Sequence, residues 1–354
     1  MNELIDSYLN HLETHLTQRG RWPSSATIRG TRADLQGFIR WWEDARRLAF
    51  DVALVIEDDL FDWQEYRQVH DGAKISTINR ANASLRGMFA WAKAENLIAY
   101  NPAERLHDLP PEDVAPRSTP PEAVEWIFRI ASNQRDPIAR HRDLAWLTLL
   151  NDCGLRSQEA DDLQIRDVDL AGACITVRAG KGRKARRVPI EGASIRRLEN
   201  YLTVRCPDGL PSMDSDAERE LFLIGRRVDK PGQPWEPGLS TAAQRKRLAE
   251  LRQEAVEKIR EQATREPSLA RVGELHELAR QLNEASPHRL RHGLAYRLLE
   301  SGATPAYLKD ILGHSRISTS LMYGKPTEED KRAALARANR YRGRRFKQEG
   351  SDGL

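Results

Sequence analysis

Over the first hundred positions, apolar residues recur at the three-and-four spacing of helices with one buried face. Leu4, Ile5, Tyr8, Leu9, Leu12 and Leu16 form one stripe. Ile28, Leu35, Phe38, Ile39 and Trp42 form a second, and Ile78, Leu85, Met88, Phe89 and Ala92 a third. Residues 1–108 therefore read as a small all-helical bundle. A proline-rich stretch over 109–119 interrupts the pattern, because proline removes a backbone donor and biases its predecessor away from the helical region. Thr119, Pro120 and Glu122 read as a capping box with proline at the first helical position, so a second domain is expected over 120–354.

In that second domain the pattern changes. Asp143 through Leu150 is apolar nearly all round, as a buried helix is, and turns polar at Asn151-Asp152 just before Gly154. Arg156 then lies at the mouth of the next helix. Ala173 through Arg178 and Lys184 through Ile190 alternate or cluster like two short strands flanking Gly180-Lys181-Gly182. Gln244 to Leu282 lies inside a charged helical insertion expected near 240–285. Its mixed signs read as a solvated face, with contact to a neighbouring subunit or flanking DNA as the alternative. The expected fold is mainly α with a small β-sheet: a helical N-terminal bundle followed by an α+β domain.

Candidate chemistry gathers late in the chain. Ser286-Pro287-His288-Arg289-Leu290-Arg291-His292, Leu312-Gly313-His314 and Tyr323 bring a phenol, histidines and an arginine within residues 286–323, which suggests covalent phosphoryl transfer. Taken singly, each group also has an ordinary explanation. A tyrosine ending an apolar helix is commonly a core residue with its hydroxyl at the surface. His288, Arg291 and His292 share one helical face, which can be a solvated stripe. Arg156 can be a plain surface arginine, and the Lys181 turn a hairpin that only grips phosphate. A zinc site on His288, His292 and His314 is poor, since no acid or thiol is in step with them and arginine repels a cation.

Order decides between these readings. Arg156 and Glu159, Lys181, His288-x-x-Arg291, Gly313-His314 and Tyr323 succeed one another with the order and spacing of the tyrosine recombinase (phage integrase) family, which the C-terminal two-thirds of the chain resembles. Gly293 departs from the Thr or Ser more usual there, and the stretch between the hairpin and His288 is long. The resemblance implies that Tyr323 attacks a DNA phosphodiester while Arg156 and Arg291 stabilise the charge that grows on its non-bridging oxygens. His288 is the candidate base, His314 a donor to the phosphate, and Lys181 the acid that protonates the departing 5′ oxygen. Glu159 supports the neighbouring cations. No cofactor and no metal is implied. Type IB topoisomerase-like relaxation is the alternative within this chemistry, and a non-catalytic DNA-binding regulator the alternative outside it.

Composition adds less. The chain has 354 residues, a net charge of +4 and three cysteines, Cys153, Cys174 and Cys206, without paired or metal-ligand spacing. A reducing cytoplasm is the expected location. The opening Met1-Asn2-Glu3 leads into an amphipathic pattern rather than a signal peptide. Basic residues crowd the hairpin, where Arg183, Lys184, Arg186 and Arg187 are candidate DNA contacts. Arg80 and Arg86 on the N-terminal bundle are candidates for the other half of a clamp, and that bundle resembles the family's SAM-like core-binding domain in helical pattern. The tail is basic, with no acid from 331 to 348. By resemblance, the partners are duplex DNA with an inverted-repeat site, further copies of the chain in a synaptic tetramer, and an accessory DNA-bending or directionality protein.

Overall fold

The computed structural model describes residues 2–15, 22–110, 117–178, 185–212, 215–227 and 235–313. The chain divides into two compact units, Met1–Val114 and Ala115–Leu354. Both are helical, and the second carries a small antiparallel sheet. No helix among the described residues is long and apolar enough to cross a membrane.

The first unit packs α1 (Asn2–Thr14), α2 (Ser25–Arg46), α3 (Glu57–Val69) and α4 (Ile75–Ala94) around Leu9, Leu35, Phe38, Trp42, Leu85 and Phe89. The three apolar stripes supply α1, α2 and α4. Periodicity misses α3, which opens on Glu57-Asp58-Asp59 and buries only Asp59, Leu60 and Trp63. That helix is held through a polar group: the buried Asp59 carboxylate accepts from Trp42 Nε1 at 3.0 Å, Arg46 Nε at 2.6 Å and the Ile56 amide at 3.0 Å. A buried charge so fully partnered costs far less than a bare one.

In the second unit, α5 (Pro121–Ser132) and α6 (Pro137–Asn151) lead to the short α7 (Ser157–Asp161). A sheet then follows in the order β1 (Val168–Asp169), β2 (Cys174–Val177), β3 (Arg186–Pro189). Strands β2 and β3 are antiparallel, with Cys174 opposite Pro189 and Val177 opposite Arg186, the hairpin that alternation around the lysine turn predicts. Next come α8 (Ala193–Arg205), a separate pair β4 (Ile224–Arg227) and β5 (Trp235–Pro237), α9 (Thr241–Arg265), α10 (Leu269–Asn283), α11 (Pro287–Glu300) and α12 (Pro305–Leu312). Helix α6 is the buried axis, with Trp146, Leu147, Leu149 and Leu150 fully inside.

Two expectations change. Thr119 does not cap α5: the N-cap is Pro120, without a side-chain bond, and the first helical residue is Pro121. Thr119 is buried instead, and its amide donates to the Arg289 carbonyl at 3.3 Å, so the entry segment is tied to α11 rather than folded onto its own helix. The charged segment near 240–285 is not peripheral either. Leu248, Leu251 and Ile259 of α9 and Leu278 and Leu282 of α10 belong to the main core. Gln244, wholly buried, accepts from Trp146 Nε1 at 3.1 Å and donates to the Ser157 and Leu239 carbonyls at 2.9 and 2.8 Å. A sparse apolar stripe anchors the segment, and one of its charges, Arg247, turns inward to the buried Asp143.

Gly293 lies buried inside α11, where a Cβ would meet nothing nearer than the flexible end of Arg297, at 3.4 Å. Glycine weakens a helix interior by about 0.5–1 kcal/mol relative to alanine. Gly293→Ala should therefore raise the urea midpoint with the slope unchanged. A lowered midpoint would show that Arg297 cannot give way.

Candidate active site

The site is assembled at the C-terminal end of α12. The last carbonyls of a helix have no partner within it and carry the negative end of its dipole. Here three of them are each taken by a different arginine. Arg186 Nε donates to the Ile311 carbonyl at 2.8 Å, Arg291 Nη2 to that of Leu312, and Arg156 Nη2 to that of Gly313 at 2.9 Å.

Local sequence explains how each arginine arrives. Helix α6 gives way to Gly154, whose φ is +64° and whose Cβ would lie 2.7 Å from Leu312 and 2.8 Å from Leu294. Only glycine fits, and the turn aims the Gly154 carbonyl at Arg291 Nη1, which donates to it. The same turn places Arg156 as the N-cap of α7. Arg291 sits one turn into α11 on its buried face, 3% exposed. Arg186 opens β3, opposite Val177. Gly313 closes α12 in the left-handed conformation, φ +61°, and a Cβ there would be 2.9 Å from Arg186 Nη1.

One carboxylate joins the three cations. Glu159 Oε1 accepts from Arg156 Nη1 at 2.8 Å and Arg186 Nη1 at 3.0 Å; Oε2 accepts from Arg186 Nη2 at 2.8 Å and the Arg156 amide at 2.9 Å. Arg291 Nη1 stands 3.7 Å from Oε2. Burial alone raises the Glu159 carboxyl, but the hydrogen bonds and charges of Arg186 and Arg156 outweigh it and hold it at about 2. Glu159 is thus ionised throughout the physiological range, and among the described residues three guanidiniums gather around this one carboxylate. Such a cluster suits an oxyanion on which charge develops.

His288 and His292 lie one turn apart on α11, their rings 6.1 Å apart. Burial, then Arg291 and Arg156, lowers His288; burial, then His288, Arg291 and Arg289, lowers His292 to about 4. Both imidazoles are neutral at pH 7 and able to accept a proton.

The structure brings together Arg156, Glu159, His288 and Arg291 from the predicted set. Lys181, Arg183, Lys184, His314 and Tyr323 lie outside the described residues. Arg186, expected on the DNA backbone, points inward with its side chain 11% exposed; its strand position faces the sheet hairpin toward α12, which no basic cluster in sequence reveals. Arg187 donates to Cys174 Sγ at 2.7 Å. In the first unit, Arg80 pairs with the buried Asp34 at 2.8 Å, and Arg86 bonds the Leu106 carbonyl and Asp108, both at 2.8 Å. Among the described residues no group of three His, Cys, Asp or Glu is placed to hold a metal ion.

Residues 118–330 match the model of the phage integrase family. The tyrosine recombinase XerC 2 of Ralstonia nicotianae is 30% identical over 318 residues, 88% of this chain and 79% of that one. The tyrosine recombinase XerA of Pyrococcus furiosus is 27% identical over 267 residues, 75% and 77% of the two chains. Among solved structures, the Tn1549 transposon integrase in complex with a circular intermediate DNA aligns with a TM-score of 0.63 at 19% identity, covering 95% of this chain and 99% of that one. The XerH site-specific recombinase bound to difH aligns at 0.61 and 18%, covering 94% of each. At these identities the structural likeness is one of fold.

The depressed histidines set a pH dependence. A group whose folded pKa is lowered from 6.5 to about 4, as His292 is, binds its proton more readily in the unfolded chain, so stability falls as pH drops through that window and is regained above it. Urea titrations between pH 7 and 4 should show this loss in the wild type and a smaller one in His292→Gln. Parallel pH profiles in the two proteins would remove His292 as its source.

Proposed function

We propose that this chain, which belongs to the phage integrase family, is a site-specific tyrosine recombinase that cuts and rejoins duplex DNA through a 3′-phosphotyrosyl intermediate on Tyr323. The observation that carries this reading is the convergence of Arg156 and Arg291 on the end of α12, braced by one ionised carboxylate, immediately before the segment that contains His314 and Tyr323. The comparisons support it, since the matched relatives are recombinases and the aligned structures include recombinases bound to DNA.

The Tyr323 hydroxyl adds to the scissile phosphorus, and the bond from phosphorus to the 5′ oxygen breaks. Phenol ionises near 10 in water, so its proton must be taken up as the bond forms. His288, neutral and accessible at the start of α11, is the base assigned to that task. Arg156 presents a planar guanidinium to the phosphoryl oxygens. Arg291, buried beneath it against the Gly154 and Leu312 carbonyls, supplies a fixed second charge. His314 donates to the phosphate, and Lys181, from the segment between β2 and β3, protonates the 5′ oxygen. The phosphotyrosyl bond retains the energy of the phosphodiester, and a 5′-hydroxyl from the partner strand reverses the step.

The substrate is a duplex carrying inverted repeats around a short spacer, contacted by both the helical first unit and the second, with further copies of the chain completing a synaptic tetramer. Arg183, Lys184 and Arg187 near the hairpin, and Arg80 and Arg86 on the first unit, are the proposed backbone contacts. Soluble, cytoplasmic action on the host's DNA and help from a DNA-bending or directionality protein complete the reading.

Two outcomes test it. Incubated with sheared DNA of the source organism and trapped under denaturing conditions, the wild type should give covalent protein–DNA adducts, whose sequencing yields the site. Tyr323→Phe should bind the recovered duplex with unchanged affinity and form none; an adduct persisting in this variant removes Tyr323 as the nucleophile. Lys181→Ala should cleave ordinary DNA slowly, roughly 10²- to 10⁴-fold down, yet recover on a substrate whose 5′ bridging oxygen is sulfur, a leaving group that needs no proton. Equal impairment on both substrates would assign Lys181 to binding alone.

A further inference from the structure

Arg186 has more in common with the site than with the DNA-facing hairpin it belongs to. Its side chain is 11% exposed, and it spends three N–H donors inside the protein: two on the two oxygens of Glu159 and one on the Ile311 carbonyl. The paired bonds to Glu159 are 3.0 and 2.8 Å, a fork-to-fork arrangement that fixes a carboxylate in rotation as well as in place. Arg156 donates to the same carboxylate through its amide and Nη1. Glu159 therefore joins Arg156 to Arg186, and Arg186 is the member of the pair held by the sheet.

Arg186 also stands against the last residues of α12 and its cap. Its Nε holds the carbonyl of Ile311, and its guanidinium fills the space a side chain at position 313 would need. Movement of this guanidinium would shift Glu159, hence Arg156, and release the end of α12 that leads to His314 and Tyr323.

We infer that Arg186 is a positioning residue for the reaction: it acts through Glu159 to set the aim of Arg156 and through Ile311 to fix the exit of α12, and it does not touch DNA. This rests on the recombinase reading above. A Lys at this position keeps the charge but not the planar fork, so it cannot hold both carboxylate oxygens and the carbonyl together.

The test uses the full-length chain on a nicked duplex carrying its recovered site, with single-turnover covalent cleavage and equilibrium binding measured side by side. Arg186→Gln should lower the cleavage rate roughly 10- to 100-fold, the scale of a small misplacement of a catalytic group, while Kd and its salt slope stay those of the wild type. Arg186→Lys, which preserves charge and most of the packing, should fall between the two. In a Glu159→Gln background, where the carboxylate to be positioned is gone, the further loss from Arg186→Gln should shrink to less than about threefold, the non-additivity expected of coupled groups. A weakened Kd with the salt slope reduced by about one would make Arg186 a phosphate contact and overturn the inference. So would full additivity with Glu159→Gln, or a lowered melting temperature with cleavage by the folded protein unchanged. Absence of a covalent band from the wild type overturns the recombinase reading and, with it, the role given to Arg186, whereas a wild-type band matched in rate by Arg186→Gln overturns the role alone.

Discussion

The end of α12 is a helix C-terminus with its carbonyls facing inward, and everything around the site follows from how those carbonyls are satisfied. Ile311, Leu312 and Gly313 each accept from a separate arginine, contributed by β3, α11 and the start of α7. Helix termini are usually closed by their own chain or by water. Closing this one with three long-range guanidiniums means that the sheet, α7 and α11 must all be in register before the segment after residue 313 has a defined starting point.

Three cations so close would repel one another and resist burial. Glu159 makes the arrangement tenable, because its two oxygens accept four hydrogen bonds from Arg156 and Arg186 and lie within ion-pair distance of Arg291. Removing one partner from such a network leaves an uncompensated buried charge, which is far more costly than the pair is stabilising. The depression of the Glu159 carboxyl to about 2 is the same fact expressed as proton affinity. Among the described residues, one carboxylate is shared by Arg156 and Arg186 and approached by Arg291.

The scaffold carries that cluster on a rigid support. Gln244 ties α9 to α6 through Trp146 and to α7 through the Ser157 carbonyl. Arg247 from α9 reaches the wholly buried Asp143 on α6 at 2.7 Å. The segment richest in mixed charge thus braces the helix that presents Arg156. In the first unit the basic residues follow the opposite rule: Arg80 and Arg86 are each held by an acid of the same unit, so a contact with DNA there would have to compete with an existing partner.

Periodicity in the sequence was enough to fix the helical class, the stripes of α1, α2 and α4, the buried α6 and the β2–β3 hairpin, because each depends on neighbours within a few residues. The order Arg156, Lys181, His288, Arg291, His314, Tyr323 is likewise visible in the chain, but its chemistry is implied by the family resemblance and not by any one side chain. Helix α3 escaped because its burial rests on Asp59, a polar residue whose partners Trp42 and Arg46 lie on another helix. Thr119 looked like a cap because capping is a local pattern, whereas its amide is satisfied by Arg289, far along the chain. Arg186 and Arg187 are adjacent basic residues with the same composition around them, yet strand alternation sends one to Glu159 and Ile311 and the other to Cys174. Which basic side chain serves the site is decided by which face of β3 meets α12, a contact across 125 residues of chain that only the folded packing creates.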